Sequence, residues 1–172
     1  SDNAWYAVKP GDYHNPDGHG IAWERPVSME LIRPEDNSGV QADAGIRVHG
    51  SDYQRPRTSE TSKFSFRLYF RGDYGVGKLA YPLMADDPVR EFDEIVLRAG
   101  FNDPDNPFLR DEYTRQLADD MGMVASHGFF AQLFINGQYK GHYNPAERIG
   151  KSMIQAHQGG SGDWDVVGQF GQ

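Results

Sequence analysis

From Phe64 to Phe70 the chain alternates without a break: Phe64, Phe66, Leu68 and Phe70 are apolar, and Ser65, Arg67 and Tyr69 stand between them. Alternation with a period of two puts one set of side chains on each face of an extended strand, and no helix can gather them on one side. A strand with one apolar face needs paired neighbours and a covering layer.

Other segments supply both. Val27–Ile32 alternates, and Val40–His49 sets Ala44, Ile46 and Val48 on one face. Asp93–Arg98 and Phe129–Ile135 are short apolar strands, and Asn136-Gly137 is a hairpin signal with Tyr139–Tyr143 as the returning strand. Pro34–Gly39 and Arg71–Gly77 read as turns. Leu109, Tyr113, Leu117 and Met121 recur every four residues and predict a helix over 109–121. Asp111 and Glu112 in its first turn complement the helix dipole, and Gly122 ends it. A second helix is predicted over Glu147–His157, followed by a flexible joint at Gly159–Gly162. Residues 1–26, dense in Gly, Pro, Asp, Asn and His, form a turn-rich arm. Gly50–Ser62, with Arg55 and Arg57, is a mobile basic loop. The expected class is α+β: a mostly antiparallel sheet with one or two packed helices.

Composition removes several functions. A net charge of -8 over 172 residues argues against a nucleic-acid binder that works by neutralising phosphates. The chain has no cysteine, which excludes disulfides, zinc-thiolate sites and thiol nucleophiles. No run approaches the roughly 18 apolar residues of a membrane-crossing helix. With no initiator Met or signal peptide, both ends read as cuts through a longer polypeptide.

Candidate chemistry narrows further. Gly75-Val76-Gly77-Lys78 imitates part of a phosphate loop, but the spacing is wrong and no helix is expected after it, so a plain turn is predicted. His14, His19, His49, His127, His142 and His157 are scattered, with no i, i+4 pair on a helix, and no metal site is expected from them. No serine sits in a Gly-x-Ser-x-Gly elbow. Five cations fall on regular elements or their ends: Arg47, Lys63, Arg67, Arg98 and Arg110. Guanidinium forks and an ammonium suit phosphate oxygens, so the five could line one anion-binding cleft. They equally suit ion pairs with Asp103, Asp111 or Glu112. Glu147, just after the hairpin, could pair with Lys63 across the sheet or serve as a charge at a helix N-terminus.

Seven segments in order, DAGIRVHG (43–50), SKFSFRLYF (62–70), KLAYPLM (78–84), EFDEIVLRAGFND (91–103), LRDEYTRQLADDMG (109–122), FINGQYKGHYNPAERI (134–149) and GDWDVV (162–167), resemble the spore-coat CotH kinase family of bacteria. The resemblance implies the N-terminal part of an atypical protein-kinase-like fold over residues 27–172. It implies ATP with magnesium or manganese as cofactors and Ser/Thr of a partner protein, such as a coat or cell-surface protein, as substrate. On it, Lys63 becomes the phosphate lysine with Glu147 as partner, and Arg47, Arg67, Arg98, Asn102, Arg110 and Asp111 complete the nucleotide-binding set. The family often has two lysines where this chain has Lys63 and Phe64. The family's Asn-x-x-Asp-like and Pro-Trp-Asp-x-Asp-like motifs do not occur in this sequence, so no catalytic or metal-binding aspartate is assigned, and the piece alone is expected to be inactive. A spore-coat or cell-surface location and self-association through exposed apolar surface are further expectations. The alternative reading is a non-catalytic interaction module on a spore or cell surface. A carbohydrate-binding β module, with a Trp/Tyr platform and no basic cleft, stands behind it.

Overall fold

The alternating segments pair into one antiparallel sheet. The computed structural model describes residues 20–50, 63–84, 87–100, 108–160, 162 and 164–166. Its elements are β1 (Arg25–Arg33), β2 (Ser38–His49), β3 (Ser65–Tyr69), β4 (Leu79–Ala80), β5 (Glu91–Phe92), β6 (Glu94–Arg98), α1 (Arg110–Asp120), β7 (Ala131–Ile135), β8 (Gln138–Glu147) and α2 (Lys151–Gln158). Six strands lie in the order β1-β2-β3-β6-β8-β7, and β4 pairs β5 separately. The chain is therefore α+β, as expected.

Register sorts the side chains. Arg47 faces Arg67, Arg67 faces Val96, and Val96 faces Ala146, which makes one row across the sheet. The adjacent row runs Ile46, Leu68, Ile95 and Glu147. Successive rows point to opposite faces. One face is the core: Ile46, Val48, Phe66, Leu68, Ile95 and Leu97 are buried there. Leu79, Leu83, Met84, Val89 and Phe92, from the β4–β5 region, belong to the same cluster. The other face carries the arginines.

Two features differ from the sequence reading. β8 runs on through Pro145 to Glu147, although a proline cannot donate to a ladder. The pairing tolerates it because β7 has ended: its first residue, Ala131, faces Tyr143. Beyond that point the preceding segment bonds β8 through Phe129 N–H to Pro145 O (3.0 Å) and Glu147 N–H to His127 O (2.9 Å). Consequently α2 starts only at Lys151. The second difference is the packing of α1. The helix forms where predicted, but none of its residues is buried, and Leu109, Tyr113, Leu117 and Met121 are exposed. It meets the sheet through its charged side.

The Gly75–Lys78 stretch is a turn. Tyr74 and Gly75 N–H groups bond back to Arg71 O, and the short strand β4 follows. Lys78 lies 3.8 Å from Glu91 and 3.9 Å from Asp93.

Candidate functional site

The polar face of the sheet gathers guanidinium groups around Tyr69. Arg47 Nη2 donates to Tyr69 Oη (2.5 Å) and Nη1 to Gly20 O (3.1 Å). Arg67 Nη1 bonds Glu94 Oε2 at 3.2 Å. The guanidinium carbons of Arg47, Arg67 and Arg71 lie 5.2, 5.4 and 4.8 Å from the Tyr69 ring centre. Arg71 pairs with buried Glu24 at 3.2 Å. Burial pushes the Tyr69 phenol above its ordinary pKa, against the pull of Arg67 and Arg47. Arg148 follows β8, and burial, with Arg67 nearby, lowers its pKa. Glu24 and Glu94 offset part of this positive charge. The Nε–H groups of Arg47, Arg67 and Arg148 are buried with no hydrogen-bond partner among the described residues.

Beside this cluster a cleft of about 440 Å³ opens between β5–β6 and the start of α2. Arg90, Asp93, Glu94, Glu147, Arg148 and Lys151 are among its walls.

A second network fastens α1 to the sheet. Arg98 forks onto Asp111, Nε to Oδ2 at 2.9 Å and Nη2 to Oδ1 at 3.0 Å. Arg115 joins Asp111 (3.1 Å), Glu112 (2.6 Å), Ser126 O (2.9 Å) and Asn144 Oδ1. Asn144 Nδ2 donates to Glu112 Oε2 (2.7 Å) and Phe129 O (2.9 Å). The contact is close: a Cβ on Gly128 would stand 2.6 Å from Glu112 Oε2 and 2.8 Å from Pro145 O.

Lys63 and Glu147 do not meet. Lys63 Nζ donates to His142 O at 2.5 Å, 4.7 and 4.9 Å from the ring centres of Phe108 and Tyr143. His142 and Glu147 are five residues apart on β8, roughly 17 Å of extended chain. Glu147 is neither a lysine partner nor a helix N-terminal charge. It is the last residue of β8, on the apolar face, where it sits with three other ligand-bearing side chains. His157 Nε2 lies 3.0 Å from both Glu147 oxygens, and the His127 N–H donates to Glu147 Oε2 at 3.0 Å. His127 Nδ1 lies 2.5 Å from Asp87 Oδ2. Burial works to lower the His127 pKa, but the bond to Asp87 and the nearby Asp119 and Glu147 carboxylates outweigh it, and the imidazole titrates above its ordinary value.

The structure thus brings Arg47 and Arg67 together, pairs Arg98 with Asp111, and sets Lys63 and Glu147 apart. Arg110 opens α1, and its carbonyl accepts from Thr114 at 2.8 Å. Asn102 and Asp103 lie outside the described residues, as do most of the turn-rich arm and the 51–62 loop. Arg148, Arg115, Asn144 and the histidine cluster escaped the sequence reading. Only Arg115 left a signal, its i+4 and i+3 spacing from Asp111 and Glu112.

The sequence profile of the CotH kinase protein family matches residues 46–167, most of the chain. The chain belongs to the CotH kinase family. Comparison with curated proteins gives no match. The matched span of this CotH kinase chain takes in the arginine face, the cleft, the α1 network and the histidine cluster. No described helix is long and apolar enough to cross a membrane.

Proposed function

We propose that this part of the CotH kinase chain binds the polyphosphate of ATP on the arginine face of the sheet, beside the cleft at the start of α2. The observation that carries the reading is the set of buried Nε–H groups on Arg47, Arg67 and Arg148 that have no partner among the described residues. Buried donors in native proteins are nearly always satisfied, and guanidinium donors are matched by phosphate oxygens. The donor set therefore fits an anionic ligand. When bound, ATP would supply a transferable phosphoryl group, and its magnesium or manganese would neutralise part of the charge. Arg47, Arg67 and Arg148 would hold the phosphates, and Tyr69, ringed by cations, would fix the guanidinium planes. Arg98 and Asp111 hold α1 in place beside them, and Lys63 closes the far end of the sheet. The acceptor would be a Ser or Thr hydroxyl of a coat or cell-surface protein.

Calorimetric titration with ATP and magnesium tests the reading. Arg47→Met and Arg67→Met should each weaken binding about tenfold or more, the scale of a hydrogen bond to a charged group. Lys140→Ala, on the distant β7–β8 hairpin, should leave it unchanged. Absence of binding by the unaltered chain, or unchanged binding by both arginine variants, overturns it.

The interaction-module reading has one observation of its own, the exposed stripe on α1. It predicts partner binding that survives Arg67→Met and is lost on Leu117→Glu.

A further inference from the structure

We propose that Asp87, His127, Glu147 and His157 bind a single transition-metal dication of the zinc class, in a closed four-ligand site that clamps the β4–β5 region, the α1–β7 connection, the end of β8 and α2 together. This site is separate from any metal carried in with a nucleotide.

The donors are already assembled. One ligand atom from each residue lies within 4.8 Å of all the others. Four of the separations are 2.5 Å (His127 Nδ1 to Asp87 Oδ2), 3.0 Å (His157 Nε2 to Glu147), and 3.8 Å for both His127 Nδ1 to Glu147 Oε2 and His157 Nε2 to Asp87 Oδ2. Bond lengths of about 2.0–2.2 Å to nitrogen and oxygen in a tetrahedron give edges of about 3.3–3.6 Å. The observed separations bracket that edge.

Charge and chemistry choose the ion. The Asp87 and Glu147 side chains are 2% and 3% exposed, a costly place for two carboxylates unless they are neutralised. One dication between the two imidazoles would neutralise both carboxylates. Two nitrogen and two oxygen donors suit zinc and its first-row neighbours, whereas calcium and magnesium favour all-oxygen sets.

An outer shell orients these ligands. Val89 N–H holds the other oxygen of Asp87 at 2.7 Å, and His127 N–H holds Glu147 at 3.0 Å. His127 presents Nδ1 to the cluster, while its buried Nε2 lies 3.3 Å from Asp119 Oδ1, off the line of a hydrogen bond. A slight turn of the ring onto an ion would align that N–H with Asp119, the carboxylate–histidine–metal arrangement of zinc sites.

The test strips the chain with a chelator and titrates it with cobalt(II), then zinc, in the absence of nucleotide. The expected result is one cobalt per chain with the intense visible absorption of a tetrahedral site, displaced by zinc and not by excess magnesium. His157→Ala and Glu147→Gln should abolish that spectrum, while His142→Ala should keep it. No uptake by the unaltered chain, a weak octahedral spectrum, or full uptake by His157→Ala overturns the proposal. The unaltered chain's spectrum decides the matter even if a variant fails to fold.

Discussion

Arg115 Nη1 reaches Ser126 O, Nη2 reaches Glu112, Nε reaches Asp111, and the same fork meets Asn144. The side chain is 12% exposed, so removing it strands the Glu112 carboxylate and the Asn144 amide largely out of water. Arg115→Ala should therefore cost about 2–3 kcal/mol, below the full range for a broken buried pair because Asp111 is well exposed. Arg115→Lys should recover little of it, since one ammonium cannot serve a four-acceptor fork. Denaturant unfolding of both variants checks this. Lys63 is half-buried. Burial lowers its pKa below the ordinary 10.5. A base whose folded value lies below its unfolded value destabilises the fold while both states are charged. The penalty lifts as pH rises through the folded value towards 10.5. The stability of the unaltered chain relative to Lys63→Met should thus improve from pH 7 to pH 10.5. Unfolding midpoints of the two proteins across that range measure it, and a constant or falling difference contradicts it. The Asp111 and Glu112 contacts of Arg115 leave a trace in sequence spacing, because all three lie on one helix. It could not reveal Ser126, Asn144 or the carbonyl under Lys63, which arrive only through tertiary pairing.

Strands were more legible than helix packing. Alternation locates β1, β2 and β3 to within a residue or two, because a half-buried strand writes its two faces into every second position, and short apolar runs locate β6 and β7 as closely. β8 runs past its predicted end at Tyr143 to Glu147, and only the ending of β7 shows why Pro145 is harmless there. For α1 the spacing was right and the buried face wrong: an apolar stripe normally marks the packed side, yet here ion pairs make the contact. The consequence is measurable. Leu117 is 46% exposed, whereas Phe66 is 2% exposed in the central core. Leu117→Ala should change stability by no more than about 0.5 kcal/mol, as exposed positions do. Phe66→Ala should cost about 3–5 kcal/mol through lost burial and the cavity left behind. Comparable losses at both positions would mean that the stripe on α1 is covered in solution.

Across the whole molecule, the histidine cluster shows what one-dimensional spacing hides. Its members stand at 87, 127, 147 and 157, on a loop, a connection, a strand end and a helix, and no local pattern links them. Only the sheet order, which places β8 between β6 and β7, brings them together. The arginine face was legible for the opposite reason, since Arg47 and Arg67 each sit on a strand whose alternation was plain. The last helix depends on the cluster most. α2 has 8 residues, lacks a side-chain N-cap and buries only Met153. A helix so short is not stable alone in water, where about 12–15 residues are already marginal, so its order depends on tertiary contacts, among them the burial of Met153 and the contact between His157 and Glu147. His157→Ala should therefore release α2 while the β1–β2 hairpin, at the other edge of the sheet, stays protected. Hydrogen exchange resolved by segment should show faster exchange over Lys151–Gln158 and the end of β8, with Arg25–Arg33 and Ser38–His49 unchanged. If a dication occupies the cluster, adding zinc to the stripped chain should slow exchange over those same two segments first. Equal change in every strand would instead place His157 in the global stability of the fold, with no local clamp at α2.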